Sequence, residues 1–235
     1  MSDATPDRVP EPVLMCWSGG KDSTMALAAA LRDPALRVEA LLTTITDEYE
    51  RISMHGVRRV LLLAQAASLG LPLEEVRITR NASNDSYDRA MRAVLERYRA
   101  KGVERVIFGD LFLEDIRQYR EERLAQIGMR GLYPLWGLDT RKLAYRVIDE
   151  GYRAVLTCVD PKHLGPEFCG RDFDWRLMAD FPAHVDPCGE RGEFHTFVHD
   201  GPIFKHPIEI VRGEVVNRDG FLFCDFRPAQ SAPAK

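Results

Sequence analysis

The sequence predicts an α/β protein: a parallel sheet with helices on both faces, followed by a smaller α+β part. Three observations predict it. Over roughly the first 130 residues, short apolar runs alternate with helix-patterned stretches of about 10 to 15 residues, the rhythm of strands joined by crossover helices. The first apolar run opens directly onto a glycine turn and then a helix. Beyond residue 131 the rhythm gives way to loops dense in Gly, Pro and Cys, and then to strand-like runs of which the last two form a hairpin.

The elements follow in order. Residues 1–12 are polar and proline-bearing and read as a disordered tail. Residues 13–17 (VLMCW) are continuously apolar, as a strand buried on both faces requires. After the turn Ser18-Gly19-Gly20-Lys21-Asp22, residues 23–31 are rich in Ala and Leu and read as a helix. Residues 38–44 are a second strand and 57–69 a second helix, stopped by Gly70 and Pro72. A weaker strand spans 73–78. Asn84, Asp85 or Ser86 caps a helix whose Tyr87, Met91, Val94 and Tyr98 share one face. A fourth strand (103–108) and a fourth helix (114–129) complete a first domain over 13–130. Residues 131–227 form the second, with a helix at 138–150 and strands at 154–160, 194–198, 208–216 and 221–226. Residues 228–235 read as a second disordered tail.

Composition narrows the function classes. Apolar residues make up 45% and charged residues 29%, so the chain is globular and not disordered. The formal net charge of -4 gives no electrostatic footprint for direct nucleic-acid binding or an anionic membrane. No apolar run is long enough to span a bilayer, and residues 1–12 carry no signal-peptide core, so a cytoplasmic location is expected. Five cysteines without a CxxC pair fit reduced thiols.

The glycine turn carries the chemistry. Glycines just past a parallel strand let the backbone approach an anion, and the orphan N–H groups and dipole of the following helix favour phosphate. Open α/β sheets bind ligands at the carboxyl ends of their strands, where this turn lies. A Walker A loop is excluded, because the glycine it needs six residues before the lysine is Met15 and its Ser or Thr is Asp22. No GxGxxG fingerprint is present. A zinc site of Cys188, His195 and His199 is excluded too, since residues four apart on a strand lie about 13 Å from each other.

The segment Ser18-Gly19-Gly20-Lys21-Asp22-Ser23 resembles the pyrophosphate loop of the N-type ATP pyrophosphatases. Further segments resemble one branch of that superfamily, the diphthine–ammonia ligase family. These are Ser53-Met54-His55-Gly56-Val57-Arg58, Gly109-Asp110 ahead of Asp115-Ile116-Arg117, Tyr133-Pro134-Leu135-Trp136-Gly137, Asp160-Pro161-Lys162-His163-Leu164-Gly165 and Cys188-Gly189-Glu190-Arg191-Gly192-Glu193. The resemblance implies a Rossmann-like domain of the HUP type and a C-terminal substrate domain. It implies a reaction in which ATP and Mg2+ adenylate an acceptor carboxylate, diphthine on a translation factor, and ammonia displaces AMP. The loop residues with His55 and Gly109 would bind ATP, Lys21 would hold the leaving pyrophosphate, and Asp22 would hold Mg2+. Lys21, Asp110, Glu190 and Glu193 are the catalytic candidates, and Asp160, His163, Arg191 and His195 the acceptor-side ones.

One departure bears on the acceptor. The family's usual Gly-Glu-Gly-Gly-Glu-Tyr-Glu-Thr reads here Gly189-Glu190-Arg191-Gly192-Glu193-Phe194-His195-Thr196, so a glycine has become a cation and a carboxylate an imidazole. A divergent acid as acceptor, a nucleotide α-hydrolase using water, and a non-catalytic ATP or AMP sensor are the alternatives. The sequence leaves the oligomeric state open, a homodimer among the options.

Overall fold

The computed structural model describes residues 9–52, 56–80 and 82–229. Both expected tails fall largely outside that range, and so do Ser53, Met54 and His55.

The apolar runs become a parallel sheet of β1 (Glu11–Cys16), β2 (Leu36–Thr46), β4 (Leu73–Ile78), β5 (Arg105–Ile107) and β6 (Arg130–Leu132) in spatial order β4-β2-β1-β5-β6. A two-residue strand, β3 (Arg51–Ile52), runs antiparallel to the end of β2. Crossover helices α1 (Lys21–Arg32), α2 (Arg59–Leu69), α3 (Asn84–Arg99) and α4 (Glu114–Ala125) connect the parallel strands. The chain winds outward from β1 through β2 to β4, then crosses back to β5 and β6. The order therefore reverses between β1 and β5, and the cleft beyond the carboxyl ends at such a reversal is where sheets of this kind bind ligands.

Each strand feeds two cores, because successive side chains point to opposite faces. Val13 and Met15 of β1 pack with α1 and α2, in one cluster with Met25, Leu27, Leu61 and Leu62. Leu14 faces the other way and joins Leu95 of α3 and Leu124 of α4. This is why the first strand had to be apolar throughout.

The second part is an antiparallel sheet of order β8-β7-β10-β9, from β7 (Arg153–Val159), β8 (Phe194–Asp200), β9 (Ile210–Arg218) and β10 (Phe221–Pro228). α5 (Thr140–Asp149) and α6 (Trp175–Asp180) accompany it. The hairpin turn is Asp219-Gly220, both at positive φ (51° and 87°), the conformation of the turn type that follows strand twist. Leu156, Phe194 and Phe197 share the α1/α2 cluster, so this sheet packs on the loop-bearing face of the first.

Three local expectations need correction. β6 continues the parallel sheet to Leu132, past the boundary placed at 130. It is three residues long with a glycine at its centre, too short for a hydrophobic period. Ser83, not Asn84, Asp85 or Ser86, caps α3, its hydroxyl accepting from the Ser86 N–H at 3.3 Å. Four cap-forming residues in a row made the choice ambiguous. α4 ends at Ala125, and Gly128 turns at φ 69° before β6.

Candidate active site

The glycine turn sits where the strand order reverses. Gly19 has φ 76°, and a side chain there would collide with Gln65 and Leu62 of α2. The turn is braced internally. The Ser18 hydroxyl donates to Ser23 Oγ at 3.1 Å, and the Ser23 and Thr24 hydroxyls donate to the Gly20 carbonyl at 2.9 and 2.8 Å. Gly109, just past β5, packs against the first turn of α1, where an added Cβ would lie 2.8 Å from the Asp22 carbonyl carbon. Glycine there lets the ends of β1 and β5 approach each other.

The C-terminal sheet closes over this turn. The Val198 N–H donates to the Gly19 carbonyl at 2.9 Å, and the Lys21 N–H donates to Thr196 Oγ1 at 3.1 Å. Gln65, fully buried, donates from Nε2 to the carbonyls of Gly19 (3.0 Å) and Val198 (2.6 Å), while its Oε1 accepts from Trp17 Nε1 at 3.0 Å. One side chain thus ties the first strand, the turn and β8 together. Gln65 and Thr196 were not anticipated: a glutamine within an apolar helix and a threonine within a strand carry no distinguishing pattern.

Lys21 lies inside the junction between the turn and the second part. It is 2% exposed, and its Nζ donates to Asp22 Oδ2 at 2.8 Å and to the Cys188 carbonyl, beneath the rings of Phe173 and Phe194. Burial works against its charge, but Asp22, Cys188 and Glu190 together outweigh it and hold the pKa above the ordinary lysine value. In this arrangement Lys21 links the turn to the loop 186–193.

Carboxylates gather beside it. Asp22 keeps one oxygen, Oδ1, buried and without a hydrogen-bond partner. Asp110 pairs with Arg120 at 3.1 Å, and burial together with the like charge of Asp22 pushes its carboxyl above the usual range despite that arginine. Glu190 reaches across from the second part and accepts the Leu111 N–H at 2.8 Å. Burial pushes its pKa up to about 7; the Leu111 bond opposes the shift, and Asp22 and Asp110 add repulsion.

This donor set fits Mg2+ completed by phosphate oxygens. Mg2+ takes one or two carboxylates together with substrate phosphates. The buried, unpartnered oxygen of Asp22 and the carboxylate of Asp110, which raise each other's cost of ionisation, are the groups that would take up such a cation. Among the described residues no three His, Cys, Asp or Glu side chains converge as a closed protein-only site.

The other expected residues divide. Glu193 is 1% exposed and both its oxygens are taken, Oε1 by the Asp186 N–H and Oε2 by the Arg191 N–H, each at 3.0 Å. These two bonds shape the loop that presents Glu190. Asp160 likewise accepts the Lys162 N–H at 2.9 Å and forms a local turn. His163 is exposed, its ring 5.9 Å from that of His184. His195 lies in β8 opposite Cys158. Arg191 is exposed, its guanidinium 5.9 Å from the Phe112 ring, on the rim beside Glu190. Arg117 stacks on Tyr133 and Trp136, at 4.7 and 4.5 Å. His55 lies outside the described residues.

Comparison with known proteins bears on both parts. The diphthamide synthase N-terminal domain matches residues 12–131 and the diphthamide synthase C-terminal domain residues 139–229. A diphthine–ammonia ligase of Schizosaccharomyces pombe is 27% identical over 90% of this chain, which spans 38% of that protein's length. One of Mus musculus is 25% identical over 88% of this chain and 85% of its own. One of Danio rerio is 32% identical over 44% of this chain and 43% of its own. With the two domain models together covering most of its length, and the glycine turn and Glu190 loop meeting at one cleft, the chain belongs to the diphthamide synthase family.

Proposed function

We propose that this protein is an ATP-dependent, AMP-forming amide ligase. An oxygen of an acceptor carboxylate attacks the α-phosphorus of ATP and expels pyrophosphate, giving a mixed anhydride. Ammonia then attacks the acyl carbon, the C–O bond to AMP breaks, and the nitrogen loses a proton. The observation that carries this reading is that Asp22, Asp110 and Glu190 lie within one another's electrostatic reach beside the glycine turn, at the reversal point of the sheet.

The roles follow from position. The amides at the start of α1 and the turn bind phosphate oxygens. Asp22, with Asp110, would hold Mg2+, which when bound would supply charge neutralisation on the phosphates. Glu190, with a pKa near neutrality, accepts the proton released when ammonia adds. The lobe carrying β8 covers the turn and excludes water from the anhydride. The relatives' printed name points to diphthine as acceptor, and a carboxylate on a translation factor is the acceptor proposed here, with Arg191 and Arg117 lining its approach.

The test is product analysis with ATP, Mg2+, ammonia and a diphthine-bearing factor. AMP and pyrophosphate formed in proportion to amide support the ligase. ADP and orthophosphate would overturn it. AMP formed at full rate without acceptor would replace it with an α-hydrolase, and tight ATP binding without turnover with a sensor.

A further inference from the structure

β9 is an edge strand. Among the described residues it pairs with β10 alone, and the register fixes which way its backbone groups point. Arg218 pairs with Phe221 across the two-residue turn, so N–H and C=O alternate inward and outward from there. Between Val215 and Arg212 the register slips, and Gly213 and Glu214 together face Asp225 in a bulge. Glycine is needed there, since a Cβ at 213 would lie 2.4 Å from the Asp225 carbonyl oxygen. The Ala229 N–H donates to the Glu209 carbonyl at 2.9 Å, which fixes the inward phase on the far side of the bulge. The outward-facing residues are therefore Ile210, Arg212, Val215 and Asn217.

Their spacing of two, three and two residues reads the same in both directions. An antiparallel second copy related by a two-fold axis between Gly213 and Glu214 sets Ile210 against the partner's Asn217 and Arg212 against the partner's Val215. No other register matches all four outward groups. The same register places Arg218 opposite the partner's Glu209, and Val211 opposite the partner's Val216. Each pairing occurs twice by symmetry. Val211 and Val215 are 52% and 43% exposed, and Glu209 and Arg218 are exposed, so these side chains are available to the pairing.

We propose that β9 is a homodimer interface, joining two copies edge to edge into one continuous eight-stranded antiparallel sheet. Closure by the two-fold axis consumes the edge, which distinguishes this from open-ended aggregation. The interface is independent of the ligase reading, since it lies on the far side of the C-terminal sheet from β8 and the glycine turn.

The experiment is light scattering or sedimentation of the full chain between about 1 and 100 μM. A mass of twice the 26.7 kDa chain is expected. Val215→Pro removes one outward N–H without touching the internal ladder, so it should give a folded monomer. Glu209→Arg and Arg218→Glu should each weaken the dimer at least about tenfold, and the double exchange should restore it. A monomer throughout the range, a dimer unaffected by Val215→Pro and the charge reversals, or growth beyond two copies would overturn the proposal. If Val215→Pro fails to fold, the charge exchange alone decides it.

Discussion

The backbone N–H of Lys21 donates to the hydroxyl of Thr196 at 3.1 Å, a bond between the first turn of α1 and a strand 175 residues later. α1 has no side-chain cap of its own, because its N-cap is Gly20. Thr196 does that work from the other part of the molecule. Thr196→Val keeps the shape and removes the acceptor, and should lower stability by about 1 kcal/mol, the usual cost of a lost cap. Urea unfolding measures it. An unchanged midpoint would show that the bond contributes nothing.

Asp22→Asn and Asp110→Asn should each reduce ATP turnover at least about tenfold, since each removes charge aimed at the cation and phosphates. Raised Mg2+ should recover part of the Asp22→Asn loss. Near-normal turnover in both variants, with the fold intact by circular dichroism, would remove the cleft from the chemistry.

The raised pKa of Glu190 makes a paired prediction. As a base it is active when ionised, so turnover should rise with pH through about 7. Stability should move the other way. A carboxyl whose folded pKa lies above its unfolded value, near 4.3, stabilises the fold fully below that value and loses the contribution as pH rises to about 7. Glu190→Gln should therefore flatten the pH–rate profile while raising the melting temperature at pH 8. A variant that keeps the wild-type profile would show that another group takes the proton.

Asp225 of β10 holds Arg58 through two bonds of 2.8 and 2.7 Å, Arg51 at 2.7 Å and Arg227 at 3.1 Å. One carboxylate thus fastens both Arg51 and Arg58 to the antiparallel sheet. The bonds from Arg58, followed by those from Arg51 and Arg227, hold the carboxyl well below its usual range against the effect of burial. Asp225→Ala should cost about 3 kcal/mol by leaving the guanidinium groups unpaired. The depressed pKa stabilises the protein above about pH 4 and the contribution fades on further acidification. The variant's denaturation midpoint should thus fall less steeply with acid than that of the wild type, and parallel curves would contradict the clamp.

Much of the fold was legible because β1, β2 and β4 are apolar or alternating runs bounded by Gly and Pro, and because α1 and α2 end at recognisable stops. β6 was not, since three residues around Gly131 carry no period. β3 was not, since two residues cannot show one. The proposed site was legible only as a proposal, in its glycines and in Asp22, Asp110 and Glu190, whose residue types suit phosphate and metal chemistry. Gln65 and Thr196 escaped notice because their roles come from partners far away in the chain.

The sequence by itself determined the alternation of strands and helices, the glycine turn and the family to which its segments belong, since each is a local pattern of polarity and backbone freedom. Only the tertiary structure decided what each charged group does. It turned Lys21 inward onto the Cys188 carbonyl, spent both oxygens of Glu193 on its own loop, and left Asp22 Oδ1 and the Glu190 carboxyl facing each other's field. The physical reason is that a side chain's charge state and free valence depend on burial and on neighbours brought together from distant positions, and one-dimensional spacing contains neither.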